Sequence, residues 1–151
     1  MYKTKTTFII GAGASLELGF PTSDPLKGQI SSAVNLGFES HTNHVSRGDK
    51  AIAKALMSYS DYRTQDGADE YNKYVRAGWH TAKAMAQAIS IDNFIEVQED
   101  EYITKITKLG IASTIIDAEE KCWKYFKKNH TLTKSFGIDS KKTGYIISAK
   151  L

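Results

Sequence analysis

A single cysteine, Cys122, stands among 151 residues. One thiol closes no internal disulfide, which excludes the stapled scaffolds of small secreted proteins and fits a reducing compartment, most simply the cytoplasm. Proline is nearly absent, with two residues against eleven glycines, too few of both for a low-complexity chain. Long apolar runs are also missing. None approaches the roughly 20 residues of a membrane span, and no stretch joins a basic start to an apolar stretch and a cleavage site, so neither a membrane partner nor a secretory leader is expected. Charge of one sign is lacking as well. Twenty basic residues face 17 acidic ones for a net +3, and their scatter does not single out nucleic acid as a partner. Asn129-His130-Thr131 matches a glycosylation sequon that has no meaning without a secretory route.

What is present is a core-sized apolar fraction of 41% and one informative region near the start. Residues 4–10 end in Phe8-Ile9-Ile10, a short β-rich run suited to a strand buried on both faces. It stops at Gly11-Ala12-Gly13-Ala14-Ser15. Pro21 and Pro25 bracket Thr22-Ser23-Asp24, any of which can cap a helix through Leu26, Ile30, Ala33 and Val34. Residues 37–50 read as a loop with a short strand nearby, 51–60 as helix and 61–69 as a connector. Tyr71, Val75, Trp79, Ala82, Met85 or Ala86, and Ile89 recur at helical steps over 69–89. Ser90 or Asp92 caps a following helix. A further helical pattern covers 99–127, where Gly110 is expected to divide it in two. Among residues 128–151 only Tyr145-Ile146-Ile147 suggests a strand.

The physics of the first turn points to a phosphate. Gly11 permits a tight bend off the strand. Gly13 lacks a side chain, so a diphosphate can approach the backbone, and the amides from Ala14 and Ser15 onward, with the helix dipole, would face it. The fit to the dinucleotide fingerprint Gly-x-Gly-x-x-Gly is partial, because Leu16 holds the third glycine position. No Gly-Lys-Ser/Thr follows, so this is not a P-loop.

The longer string Phe8-Ile9-Ile10-Gly11-Ala12-Gly13-Ala14-Ser15, three residues, then Gly19-Phe20-Pro21-Thr22 resembles the opening of sirtuin-like NAD-binding domains, including bacterial NAD hydrolases of the antiphage defence type. Ser90-Ile91-Asp92-Asn93-Phe94 is similar to a second segment of that bacterial group. The resemblance implies an α/β domain, a Rossmann-like parallel sheet with a large helical insertion, incomplete and helix-rich. Residues 1–151 would form one truncated domain, with a strand-turn-helix nucleotide-binding opening over 1–35 and a helical region over 51–127. NAD would be the cofactor. Gly11, Ala12, Gly13, Ala14 and Ser15 would contact its phosphates, Gly19, Phe20, Pro21 and Thr22 would line the ribose side, and Asp92 would either cap a helix or stand near the ribose. The parent protein would be a homo-oligomer in the cytoplasm. The family's catalytic Thr-x-Asn-(Tyr/Ile/Phe)-Asp string and His-Gly pair have no counterpart here, so no catalytic residue is assigned and the chain is expected to end before the catalytic half.

Two other readings stand beside this one. One is a non-catalytic nucleotide-binding or interaction module. The other is a fragment of a flavin- or NAD-dependent oxidoreductase, against which Leu16 and the prompt Gly-Phe-Pro argue. His41 and His44 read better as a solvated loop than as metal ligands, and Cys122 as a small buried hydrophobe. The lysines that follow Lys121 read better as a solvated face than as a nucleic-acid surface.

Overall fold

The computed structural model describes residues 15, 16, 18–39 and 44–128. Among these residues five α-helices and one hairpin follow in order: α1 (Ser23–Val34), β1 (Gly37–Phe38), β2 (Val45–Arg47), α2 (Lys50–Tyr59), α3 (Gln65–Ala84), a 3-10 turn (Met85–Gln87), α4 (Ile91–Glu96) and α5 (Glu101–Lys128). The core lies where α1, α3 and α5 meet. Ile30, Val34 and Leu36 there pack with Ile52 and Leu56 of α2, Tyr71, Tyr74 and Val75 of α3, Phe94 of α4 and Ile106 of α5.

The expected parallel sheet is corrected. Among the described residues the only sheet is two-stranded and antiparallel, pairing Gly37 with Arg47 and Phe38 with Val45. The return from Phe38 to Val45 is far too short for the crossover that parallel strands require. The segment near 36–39 is therefore half of a hairpin between two helices. The other two strand candidates, 4–10 and 145–148, lie outside the described residues.

The helices follow from their sequences with a few corrections. Asp49 caps α2 by accepting from the Ala51 amide at 2.7 Å. The Thr64 hydroxyl accepts from Gly67 N–H at 3.0 Å and starts α3 earlier than residue 69. Alanine at 67 would place its Cβ 2.0 Å from the carbonyl oxygen of Ser60, so the glycine lets the first turn of α3 lie against the chain leaving α2. Gly110 does not break α5, which runs unbroken across it. A Cβ there would meet Val34 Cγ1 at 2.6 Å, so this glycine serves close helix approach. Ile89, read as apolar-face, is 87% exposed. Trp79 is nearly half exposed, but its indole N–H donates to the Leu36 carbonyl at 2.6 Å and ties α3 to the end of α1.

Two polar features sit in the core. Thr107 donates to the Ile103 carbonyl at 2.7 Å, so its only hydroxyl proton is used, and the 3.3 Å contact with Thr81 is a bond that Thr81 donates. Tyr71 is buried with its ring 5.0 Å from that of Tyr62, and its hydroxyl has no partner among the described residues. Burial, and secondarily the neighbouring Tyr62, pushes its pKa up to about 12. A pKa raised in the folded state favours folding fully below the unfolded value near 10, and that contribution is lost as pH rises through the folded one. Tyr71→Phe is therefore expected to hold or raise stability by about 1 kcal/mol at pH 7, because it removes an unsatisfied hydroxyl. Its melting temperature should also fall less steeply than that of the parent between about pH 10 and pH 12. Thermal melts of both chains across that range check this. Equal slopes would contradict it.

Candidate functional site

The segment that leads into α1 is built by two backbone bonds. Gly19 N–H donates to the Leu16 carbonyl at 2.9 Å, and Phe20 N–H donates to the Ser15 carbonyl at 3.2 Å. Gly19 sits at φ +83°, in the left-handed region that side chains disfavour. The chain then straightens through Pro21 to Thr22, the N-cap of α1, in extended conformation. The Leu26 amide donates to the Thr22 carbonyl at 2.8 Å, but the Thr22 side chain makes no capping bond. Asp24 stands in the first turn and Pro25 just after it, where a missing amide costs nothing. Of the residues assigned to NAD, Ser15, Gly19, Phe20, Pro21 and Thr22 thus lie on the approach to the positive end of α1. Gly11, Ala12, Gly13 and Ala14 lie outside the described residues.

The second segment of the resemblance is a helix start. The Ser90 hydroxyl accepts from the Asn93 amide at 3.0 Å, and the Ser90 carbonyl accepts from Phe94 N–H at 3.0 Å. Phe94 enters the core, with Ile91 and Ile95 half-buried beside it. Asp92 is exposed in the first turn of α4; the capping is done by Ser90. The hydrophobic positions of the string hold α4 to the bundle and leave Asp92 and Asn93 facing out.

These two segments, about seventy positions apart, are attached to elements that pack together. The Lys27 ammonium on α1 donates to the Ala88 carbonyl at 3.0 Å and pairs with Asp24 at 2.9 Å. Sequence reasoning missed Lys27, because a lysine on an amphipathic helix carries no mark of a distant carbonyl.

Two cavities lie elsewhere on the bundle. An open groove of about 1070 Å³ runs between α1 and α5 and is closed by the turn from β2 to α2. Arg47, Lys50 and Lys121 bring cations to it, and Asp49 and Asp117 bring anions. Asp49 is already engaged as the α2 cap and accepts a hydrogen bond from Ser113 of α5, and Arg47 Nε donates to the Asn35 carbonyl at 3.2 Å. Much of this lining therefore fastens the hairpin to the helices. A smaller hollow of about 350 Å³ is lined by Leu56, Tyr59, Tyr74, Lys105 and Leu109. Burial raises the Tyr74 pKa there. Neither cavity is lined by the described residues assigned to NAD.

Of the remaining candidates, His44 lies 3.7 Å from Glu39, an ion pair only when the imidazole is protonated, and His41 lies outside the described residues. No group of three His, Cys, Asp or Glu side chains is placed to hold a metal among the described residues. Cys122 is a buried free thiol, its pKa pushed up by burial and by Glu119. No described helix is long and apolar enough to cross a membrane.

Comparison with protein-family models, curated proteins and solved structures returns no match. The functional reading therefore stands on the residues and their arrangement.

Proposed function

We propose that this chain is the N-terminal part of a sirtuin-like domain that binds NAD, from an NAD-consuming protein of the bacterial defence type. The observation that carries the reading is the bend at 19–22. The Gly-Phe-Pro-Thr string has its glycine at φ +83° and delivers Thr22 to the start of α1 with no side-chain cap on that end among the described residues. A left-handed glycine that delivers the chain to a helix N-terminus suits a loop closing on an anionic, ribose-bearing ligand. The Gly11-Ala12-Gly13-Ala14-Ser15 string just before it supplies the bare backbone that a diphosphate requires. Cleavage of the nicotinamide bond passes through a cation-like transition state, and the protein's task there is to orient the ribose, stabilise positive charge and keep stray water out.

A non-catalytic nucleotide-binding module is the second reading. It is favoured by the absence from the 151 residues of both the Thr-x-Asn string and a His-Gly pair.

Calorimetry with NAD, ADP-ribose and FAD tests the proposal. Binding of NAD and ADP-ribose with no response to FAD is expected, and the reverse preference would identify a flavin site. Nicotinamide release by the 151-residue chain, followed by chromatography, is expected to be undetectable. Measurable release would show that residues within the chain perform the cleavage.

A further inference from the structure

We infer that Lys27 is a positioning residue that couples the bend at 19–22 to the segment ending in Ser90-Ile91-Asp92-Asn93-Phe94. The inference deepens the NAD reading and rests on it. Lys27 lies five residues beyond Thr22 on the same short helix, and its side chain is only 14% exposed. Its ammonium reaches the Ala88 carbonyl across 61 positions of sequence. Ala88 is where the 3-10 turn ends and the chain becomes extended, at φ −70° and ψ 140°, before Ser90 caps α4. The bond therefore fixes the stretch of backbone that aims α4.

The pair with Asp24 has a different character. The Asp24 carboxylate is almost fully exposed and lies three residues away on the same helix, a geometry that contributes little in water. It steers the lysine, whereas the Ala88 bond joins two elements. Met85, at the head of the same 3-10 turn, is fully buried in the core, so the turn is anchored at one end by packing and at the other by Lys27. A charge-assisted bond to a carbonyl is among the stronger hydrogen bonds available. Once a ligand holds the bend at the start of α1, Lys27 transmits that order to residues 85–94, and order in 85–94 holds the bend ready for ligand.

Lys27→Met keeps the length of the stem and removes the donor. In the ligand-free chain, amide exchange over 85–91 is expected to rise in this variant while the exchange of α5 and the melting temperature stay near the parent's. With NAD, the affinity of Lys27→Met is expected to fall about tenfold, or about 1.4 kcal/mol, and the ligand-induced protection of 85–94 seen in the parent should disappear. Lys27→Arg keeps charge and reach and should restore both. Asp24→Asn should stay within about threefold of the parent.

Unchanged exchange in ligand-free Lys27→Met would refute the tie. Unchanged affinity, or protection that persists in that variant, would refute the coupling. A parent chain that shows the altered ligand-free exchange on substitution yet no NAD affinity would overturn the NAD reading while leaving the tie standing. If Lys27→Met lowers the melting temperature strongly, Lys27→Gln and Lys27→Arg decide on the same two readouts.

Discussion

Gly78→Ala is expected to cost about 3 kcal/mol, although alanine is the better helix former. In a solvent-facing helix interior the same exchange gains about 1 kcal/mol. At Gly78 a Cβ would sit 2.4 Å from the carbonyl oxygen of Val34. Val34 is fully buried, and its Cγ1 is the atom that a Cβ at Gly110 would strike. Helix α1 thus lies close to α3 and to α5 at this one residue, and both approaches depend on a glycine. The obstacle at Gly78 is backbone, which has no rotamer to change, so the overpacking cost exceeds the gain in propensity. A chain of this size should lose about 10 °C in melting temperature. Gly28 supplies the opposite case. It lies in α1 with none of the described residues within 4 Å of its would-be Cβ, so Gly28→Ala is expected to gain up to about 1 kcal/mol. Denaturant titration of the two variants reads the sign directly. A stabilised Gly78→Ala would mean that α1 does not lie against α3 at that point.

That close approach also shows why only part of the fold was legible in the sequence. The three long helical patterns were readable from apolar spacing, and Ser90 was readable as a cap from its place before an apolar run. Gly110 was read as a break because a glycine inside a helical pattern is locally unfavourable. Its real partner, Ile30 and Val34 of a helix eighty residues earlier, has no local signature. The same limit applies to Trp79, whose spacing fits the apolar face while its indole N–H serves the Leu36 carbonyl at the bundle's edge. The sheet was misread for a different reason. A glycine-rich turn after an apolar run suggests a parallel nucleotide-binding sheet, while the loop over 37–50 shows only a short strand nearby and nothing in its residues names the partner. The hydrogen bonds of Gly37 and Phe38 go instead to β2, a few residues downstream. In the candidate site, Gly19 stood in the sequence only as part of Gly-Phe-Pro, and its left-handed φ has no local mark there. Lys27 was invisible, since what marks it is a carbonyl 61 positions away.

The largest effect on binding is expected from Gly13→Leu, which should abolish NAD affinity, a loss of at least about a hundredfold or 2.7 kcal/mol. The reasoning is steric. A pyrophosphate reaches backbone amides only where no Cβ stands between, and a branched side chain would occupy the space of the phosphate oxygens. Gly19→Val should act differently. It forces a β-branched residue toward φ +83°, a conformation that costs about 1–2 kcal/mol, so the bend relaxes and affinity falls about tenfold. Gly19→Asn tolerates the left-handed region and should retain most of the affinity. Because none of the described residues lies within 4 Å of a Cβ at Gly19, the valine penalty is assigned to backbone strain, and asparagine is the fitting rescue. If Gly13→Leu binds NAD as the parent does, the phosphate does not rest on that turn, whatever the behaviour of Gly19. If Gly13→Leu fails while Gly19→Val binds normally, the turn holds the diphosphate but the bend at 19–22 takes no part in holding the ribose.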